Sequence, residues 1–226
     1  MLEVNNISKV FNMKGRSLTV LANLSFLAEA GETMAIVGPS GSGKTTLLGI
    51  CAGLDLPSTG YVALAGIRLN ALDEDDGAYV RNKHVGFIFQ SFQLVPTITA
   101  LENVMVPIEL RGGKSSRKTA EKLLSRVGLS DRMDHYPSQL SGGEQQRVAI
   151  ARAFITEPSI LFADEPTGNL DEETAEHITE LIFKLNEEHN TTLVLVTHNL
   201  QLAERTDRIL FLKSGQLVED KRLNAV

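Results

Sequence analysis

The feature that most constrains this chain is a glycine-rich run of eight residues, Gly38-Pro39-Ser40-Gly41-Ser42-Gly43-Lys44-Thr45. It matches the pattern G-x-x-x-x-G-K-[ST] in full. Glycines are needed there because backbone N–H groups must turn inward around phosphate oxygens, where side chains would collide. The apolar residues before the run and the residues after it predict a buried strand over 34–38, a phosphate-binding loop, and a helix from Lys44 to about Ala52.

In such a loop Lys44 would place its ammonium between the β- and γ-phosphates of a nucleotide, and the Thr45 hydroxyl would ligate Mg²⁺. The start of the following helix, with Thr46 among the nucleotide-binding residues, would add positive potential. A chance match to a glycine-rich turn is the alternative, and the position between a strand and a helix argues against it. The loop alone does not name a function, since kinases, GTPases, helicases and transporter ATPases share it.

The composition excludes several classes of protein. The 226 residues, 42% of them hydrophobic, suffice for one large α/β domain, and the net charge of −6 argues against a nucleic-acid binder. The single cysteine, Cys51, lies in an apolar run, which predicts a buried residue and excludes an internal disulfide. The first residues do not resemble a secretory signal, and apolar runs are far shorter than the ~18 residues of a membrane span. We therefore expect a cytosolic chain that meets a membrane only through a partner.

Apolar runs bounded by turn residues predict a mainly parallel sheet interrupted by a helical insert. Strands are expected over 85–89, 159–163 and 192–197, with a later hairpin that turns at Ser214-Gly215. Spaced apolar residues predict earlier strands, at Val4, Ile7, Val10, Leu18, Val20, Leu24 and Phe26. Helices are expected near 100–110, 116–127 and 143–155, and an exposed connection is expected over 111–116. The run of acidic residues over 73–76 predicts a solvated loop or a first helical turn. We predict one domain over 1–226, with a core of about 1–91 and 159–226 and a helical subdomain of about 92–158.

Two acids follow an apolar strand in the sequence Ile160-Leu161-Phe162-Ala163-Asp164-Glu165. At the carboxyl end of a parallel strand, Asp164 would face the phosphate loop and hold Mg²⁺ through water. Glu165 would then orient and deprotonate an attacking water. The alternative is that the two acids merely cap a strand before the turn at Pro166.

A second candidate anion site lies in the sequence Leu140-Ser141-Gly142-Gly143-Glu144-Gln145-Gln146-Arg147. A serine followed by two glycines at the start of a helix binds anions well. Since the phosphate loop already holds one nucleotide, a second phosphate-binding helix start makes sense if it serves the nucleotide of another subunit. The alternative is a capped helix with a solvated polar first turn.

The sequence LSGGEQQR resembles the signature sequence of ABC ATPases, and the resemblance extends over essentially the whole chain. It implies an ATP-hydrolysing subunit of α/β class, with a mainly parallel sheet, an antiparallel β region and a helical subdomain. It also implies two copies that face each other head to tail. Each ATP, with Mg²⁺, would then lie between the phosphate loop of one copy and residues 141–144 of the other, namely Ser141, Gly142, Gly143 and Glu144.

The same resemblance assigns roles to residues outside these motifs. Gln90 resembles the Q-loop glutamine that touches Mg²⁺ and relays contact to a membrane partner, and His198 resembles the switch histidine that contacts the γ-phosphate. Asn169-Leu170-Asp171 resembles the D-loop, which places Asp171 among the nucleotide-binding residues, although Gly168 stands where serine is common. Phe11 resembles the aromatic residue that stacks on adenine, although tyrosine is usual there. The alternative for Phe11 is a core residue.

Further stretches narrow the resemblance to one branch of these ATPases. The branch that contains the lipoprotein-release (LolD), macrolide-export (MacB) and cell-division (FtsE) ATPases is similar in the stretches FQSFQLVP, LENV and LFADEPTGNLD. Within this branch, the YbbA type is similar in the stretches KHVGFIFQSF, ELRG and VTHNLQLA. The branch implies an ATPase at the cytoplasmic face of the bacterial inner membrane that powers export or mechanotransmission through a permease with a large extracytoplasmic part. An importer ATPase remains an alternative. A second alternative is a non-transport ABC ATPase that acts on DNA or ribosomes. The net negative charge argues against it, and we expect no nucleic-acid partner.

Overall fold

The computed structural model describes residues 1–13, 15–112 and 117–223. In chain order the elements are β1 (Leu2–Met13), β2 (Arg16–Ala28), β3 (Thr33–Val37), α1 (Lys44–Cys51), β4 (Thr59–Leu64), β5 (Ile67–Arg68), α2 (Glu74–His84), β6 (Val85–Ile88), α3 (Ala100–Glu109), α4 (Arg117–Arg126), α5 (Gly142–Phe154), β7 (Ile160–Asp164), α6 (Glu172–His189), β8 (Thr192–Thr197), α7 (Leu200–Ala203), β9 (Arg208–Lys213) and β10 (Gln216–Arg222). They form two compact units, Met1–His84 with Thr191–Val226, and Val85–Asn190.

The first unit contains an antiparallel sheet in the order β2-β1-β4-β5. The pairing of β1 with β2 shifts register after Val4, after Ile7 and after Lys9, and Asn6 has a left-handed backbone with φ 45°. Each β-bulge adds a residue, so the buried side chains do not follow strict alternation. This is why Val4 and Ile7, both buried, recur at a spacing of three in the sequence.

The first unit also contains the parallel strands that carry the phosphate loop. β3 lies between β8 and β9 and runs parallel to both, while β10 pairs antiparallel with β9. A strand with neighbours on both sides and covered faces reads as a continuous apolar run, and Met34 to Val37 are all buried. The predicted strands over 34–38 and 192–197 and the hairpin are confirmed, and Ser214 and Gly215 turn with φ 48° and 75°.

The second unit contains the helical segment. β6 and β7 pair in parallel, and the helices α3, α5 and α6 begin at capping side chains. The helices near 100–110, 116–127 and 143–155 are confirmed to within a residue or two, while residues 113–116 of the expected connection lie outside the described residues. The 18-residue α6 was not predicted, although Ile178, Ile182 and Leu185 recur on one buried face.

Two smaller expectations are also settled by the fold. The acid run is the start of a helix, since Asp73 accepts a hydrogen bond from Asp76 N at 2.8 Å and Glu74 to Asp76 form the first turn of α2. Cys51 is buried as expected, and burial raises the pKa of its thiol. Within residues 1–13, 15–112 and 117–223, no helix is both long and apolar enough to cross a membrane.

The turn between β9 and β10 supports the phosphate loop through its backbone. Gly215 N donates to Ser42 O at 3.1 Å, and Gly215 O accepts from Ala22 N at 2.9 Å. A Cβ on Gly215 would lie 2.2 Å from Val20 O, so no other residue fits without moving one of these segments. The turn therefore joins β2 to the loop that precedes α1.

We expect Gly215→Ala to be far more destabilising than Gly66→Ala. Both glycines have a left-handed backbone, with φ 75° and 79°, but a Cβ on Gly66 meets nothing within 4 Å. Gly66→Ala should therefore cost only the backbone strain, about 1 kcal/mol. Gly215→Ala adds a collision with Val20 O and should cost roughly 3 kcal/mol or more. Thermal unfolding should show melting temperatures lowered by about 3 °C and about 10 °C, respectively. Equal shifts would contradict the support that Gly215 gives to the phosphate loop.

Candidate functional site

The backbone of the phosphate loop requires glycine at two positions for steric reasons. A Cβ on Gly38 would lie 2.1 Å from Leu212 O. Gly43 has φ 99°, and a Cβ there would lie 2.7 Å from Leu21 Cδ2. Gly41 is different, because only its φ of 75° favours glycine and the space around it is open. The strand, loop and helix that the motif predicts are therefore formed here, with the loop packed against the strand β9 and against β2.

The start of α1 presents polar groups suited to phosphate. Gly43 is the N-cap and has no side chain, so no side-chain oxygen of the cap residue competes with an anion for the N–H groups of the first turn. Lys44 is 9% exposed, and its ammonium donates to Gly38 O at 2.8 Å and to Pro39 O at 3.1 Å, which holds it across the loop. Ser42 Oγ is buried and has no hydrogen-bond partner among the described residues. These groups fit the phosphates of a nucleotide.

His198 lies at the same sheet edge as the phosphate loop. The last residues of β3 and β8, Val37 and Thr197, are direct partners in the parallel pairing, and each strand is followed by a candidate site residue, Gly38 and His198. The His198 side chain is exposed there. The structure therefore brings these two predicted site residues to neighbouring strand ends.

Phe11 is not a core residue. It is 40% exposed on β1, opposite Leu18, and the ammonium of Lys9 lies 5.1 Å from the centre of its ring. The core interpretation is wrong because Phe11 lies beyond the bulged part of β1 that is buried. An exposed ring remains available for stacking, so its contact with adenine stays a prediction.

In the second unit, the two acids lie where a strand ends. Asp164 is the last residue of β7, and the next residue, Glu165, has a left-handed backbone with φ 45°. The carbonyl oxygen of Glu165 accepts from Gly168 N at 3.0 Å, which closes a turn. A left-handed glutamate is strained, and such strain concentrates at functional sites.

The start of α5 is capped by its own residues. Ser141 Oγ accepts from Glu144 N at 3.3 Å, and the Glu144 carboxylate accepts from Ser141 N at 2.8 Å. This bond from Ser141 N is the main reason why the pKa of Glu144 is lowered, and Arg132, whose Nε lies 3.1 Å from the same carboxylate, lowers it further. The capped helix of the alternative interpretation is therefore present. The cap uses only a lone pair of the Ser141 hydroxyl, so its hydrogen can still be donated to an anion.

Gln90 and the D-loop are in contact within the second unit. Asn169 Nδ2 donates to Gln90 O at 2.9 Å, and Gln90 Nε2 lies 3.5 Å from Asn169 Oδ1. A Cβ on Gly168 would lie 3.0 Å from Gln90 Nε2, so glycine in place of the common serine leaves room for this amide. Asp171 is the N-cap of α6 and accepts from Thr174 N at 3.0 Å, which lowers the pKa of Asp171.

Sequence reasoning missed two residues that order the second unit. Gln146 is fully buried on α5, and its Nε2 donates at 2.6 Å to the carbonyl oxygen of Pro166, the residue after Glu165. Arg152, also on α5, donates to two carbonyl oxygens of the segment after Gln90. Arg152 could have been noticed in the sequence, because it is a charged residue within the otherwise apolar stretch 148–154. Gln146 stands in a polar run, which gave no such signal.

The candidate magnesium ligands fit the ion in their chemistry. The described residues contain no group of three or more His, Cys, Asp or Glu side chains that could hold a metal. Mg²⁺ commonly takes one or two protein oxygens and fills its other positions with water and nucleotide phosphate. Thr45 of the first unit offers a hydroxyl oxygen, and Gln90 and Asp164 of the second unit offer an amide and a carboxylate oxygen, which are the types of oxygen ligand that Mg²⁺ takes.

The family model described as ABC transporter matches residues 21–168 of the chain. The chain belongs to the ABC transporter family. The match begins in β2 and contains the phosphate loop, the signature sequence and the two acids after β7. It thus includes most of the candidate site residues.

Relatives within the ABC family are similar over nearly the whole chain. The ABC transporter ATP-binding protein YbbA of Escherichia coli is 55% identical over 221 residues, 97% of each chain. The lipoprotein-releasing system ATP-binding protein LolD of Idiomarina loihiensis is 46% identical, with 98% of both chains covered. The macrolide export ATP-binding/permease protein MacB of Rhodopirellula baltica is 46% identical, and the match covers this whole chain and 34% of MacB. The predicted branch and its YbbA type are therefore confirmed.

A solved ABC cassette shares the fold. The ATP-binding cassette MJ0796, in a dimeric post-hydrolysis state bound to ADP and Pi, superimposes with a TM-score of 0.93 at 42% identity, and the match covers 100% of both chains. The predicted α/β class of ABC ATPase is confirmed. The chain is thus an ABC transporter ATP-binding subunit of the ATP-hydrolysing type.

Proposed function

We propose that this ABC subunit powers a membrane complex of the lipoprotein-release and macrolide-export type, for export or mechanotransmission through a permease. The observation that carries the proposal is the presence of two different helix starts suited to phosphate. One follows the phosphate loop and has no side-chain cap, and the other begins with Ser141 and two glycines. The similarity to YbbA, LolD and MacB supports the type of complex.

The phosphate loop binds the triphosphate of ATP in this proposal. Lys44 exchanges its two loop carbonyls for the β- and γ-phosphates, and the N–H groups at the start of α1 donate to the same oxygens. Thr45, Gln90 and Asp164 hold Mg²⁺, which when bound neutralises charge on the phosphates. Phe11 stacks on the adenine ring.

Hydrolysis depends on two further side chains. Glu165 orients the attacking water and accepts its proton, and its strained backbone supports this role because it fixes the direction of the side chain. His198 donates to the γ-phosphate from the end of β8. Together they act only on a nucleotide that has a γ-phosphate, so ATP and ADP differ in their contacts with the protein.

A second copy of the chain completes each site. Ser141, Gly142 and Gly143 of one subunit donate to the γ-phosphate held by the loop of the other, while Glu144 and Asp171 order the neighbouring helix starts. The dimeric MJ0796 cassette, bound to ADP and Pi, supports a dimer for this chain. Closure on ATP and opening after hydrolysis then move the permease.

The permease is an integral protein with a large extracytoplasmic part, and the ATPase works at the cytoplasmic face of the bacterial inner membrane. The name of MacB joins an ATP-binding part to a permease, and this chain corresponds to about a third of that protein. This supports a permease as the partner of the present subunit. Gln90 transmits the contact between permease and nucleotide.

Isolation of the assembled complex tests this proposal. An affinity-tagged subunit, extracted from bacterial membranes in mild detergent, should bring with it an integral protein with few transmembrane helices and a large extracytoplasmic domain. The purified pair should hydrolyse ATP faster than the isolated subunit. Capture of a permease that works with a substrate-binding protein for uptake would identify an importer and overturn the proposed type.

We expect Lys44→Ala to weaken ATP binding by roughly 10- to 100-fold, because charge-assisted bonds to phosphate contribute about 1.5–3 kcal/mol. Titration of ATP into the isolated subunit measures this, and Lys184→Ala on α6 is the matched control that should leave affinity unchanged. Thermal unfolding of the variant checks that the loop still folds without the bonds to Gly38 O and Pro39 O. Normal affinity together with normal turnover would refute the assignment of the phosphate loop.

A further inference from the structure

The segment after Gln90 contains two consecutive non-glycine residues with a left-handed backbone. Phe92 has φ 61° and Gln93 has φ 51°. Each conformation is unfavourable for an L-residue, so two in succession persist only where surrounding contacts hold them. Local bonds contribute, since Gln93 N donates to Ser91 O at 2.6 Å and the Gln93 amide to Ser91 Oγ at 2.8 Å.

A side chain of α5 holds both strained residues. Arg152 Nη1 donates to Gln93 O at 2.6 Å, and Nη2 donates to Phe92 O at 2.7 Å. The guanidinium is half-buried, and burial lowers its pKa, so the two carbonyl oxygens compensate a cation that has lost part of its water. The planar guanidinium group can donate hydrogen bonds to two neighbouring carbonyl oxygens at once, whereas a lysine ammonium is less suited to this geometry.

The ring of Phe92 reaches the other end of the same helix. A Cβ on Gly142 would lie 3.7 Å from Phe92 Cζ and 3.6 Å from Leu170 Cδ2. Gly142 is the first residue of α5, and Ser141 is its N-cap. Phe92 is therefore held by its carbonyl near the C-terminal end of α5, while its ring packs at the N-terminal end beside the D-loop leucine.

We propose that Arg152 and Phe92 are positioning residues that fasten the segment after Gln90 to α5, so that this segment and the Ser141–Gly143 helix start move as one body. The inference rests on the proposed function for its consequence, because Ser141–Gly143 must engage the nucleotide of a second copy. Displacement of the segment by a partner would then withdraw or present the signature residues. Arg152 need not touch ATP for this effect.

Hydrogen exchange of the full-length protein tests the connection directly. Loss of a bidentate charge-assisted contact in Arg152→Lys should speed amide exchange about fivefold or more in 91–95 and in 141–144, but not in the phosphate loop. Arg126→Lys is the matched control, since Arg126 forms an ion pair with Glu188 elsewhere in the same unit. Faster exchange in 91–95 alone, or in the whole chain equally, would overturn the proposal.

ATP-driven dimerisation tests the consequence. In a Glu165→Gln background, Arg152→Lys should raise the ATP concentration for half-maximal dimer about fivefold or more, while ATP affinity of the monomer stays within about twofold. Phe92→Leu should weaken dimerisation in the same direction without speeding exchange at Gln93, because it shortens the ring and keeps the carbonyl. Unchanged dimerisation in both variants would overturn the connection.

Two further variants separate the possible failures. Gln93→Asn in the Arg152→Lys background should restore part of the lost dimerisation, because asparagine tolerates the left-handed region better than glutamine. A purely structural role for Arg152 predicts no such rescue. If Gln93→Asn restores no dimerisation, the result counts against the proposal. Ser141→Arg in the Glu165→Gln background reports on the proposed function. If the Ser141→Arg variant still dimerises with ATP, the head-to-tail dimer of the proposed function is refuted. That conclusion holds whatever effect Arg152→Lys has on amide exchange.

Discussion

Replacement of Glu165 by glutamine is expected to leave ATP binding intact and to slow hydrolysis by roughly 10²- to 10⁴-fold, the usual contribution of a general base. Glutamine keeps the length of the side chain and can adopt the same backbone with φ 45°. It cannot accept a proton from the attacking water, because its amide oxygen is a very weak base. The variant should therefore accumulate as an ATP-bound dimer.

Single-turnover hydrolysis in the assembled complex measures the loss at Glu165, since it separates the chemical step from product release. Glu172→Gln is the matched control, because this exposed glutamate in the first turn of α6 carries the same charge. It should retain activity within about twofold of the unmodified protein. Equal rates for Glu165→Gln and Glu172→Gln would show that Glu165 is not the base.

Ser141→Arg should abolish ATP hydrolysis in the assembled complex while ATP binding to the isolated subunit stays nearly normal. Arginine would fill the space that the γ-phosphate of the second copy requires, whereas the phosphate loop of the same chain is unchanged. Loss of the helix cap costs only about 1 kcal/mol, too little to unfold the domain. Ser130→Arg, an exposed change in the same unit, controls for the added bulk and charge.

Mixed dimers make the Ser141→Arg experiment independent of subunit stability. With Ser141→Arg on one chain and Lys44→Ala on the other, both changes fall on one composite site and the second site remains intact. With both changes on one chain, each site carries one change. Activity should therefore be lower in the second arrangement, provided that a single intact site can turn over. Equal activity in both arrangements, well above background, would contradict the head-to-tail dimer.

The phosphate loop and its flanking elements could be predicted because their determinants are local. Gly38, Gly43 and Lys44 are close in sequence, and one strand and one helix place them. The same holds for Ser141, whose cap at Glu144 lies three residues away. Such features follow from the order of residue types alone.

Features that depend on distant partners could not be predicted in the same way. The register shifts of β1 depend on β2 and β4, so the three-residue spacing of Val4 and Ile7 could not be distinguished from other patterns. The contact of Asn169 with Gln90 joins residues 79 positions apart, and Arg152 lies about 60 positions from Phe92. No spacing rule connects such pairs. The reason for glycine at position 168 is likewise visible only in the structure, where the Gln90 amide lies beside it.

The position of β3 between β8 and β9 has a consequence for how the protein is made. Both neighbours are encoded about 150 residues or more after β3, as is the Gly215 turn that supports Ser42. At 5–20 residues per second, a ribosome needs on the order of ten seconds or more to supply them. During that interval the apolar strand Met34 to Val37 has no sheet partner, and nucleotide cannot yet stabilise the loop. The nascent chain is therefore expected to need chaperone protection in this window, and ATP can favour the folded state only after synthesis has passed β9.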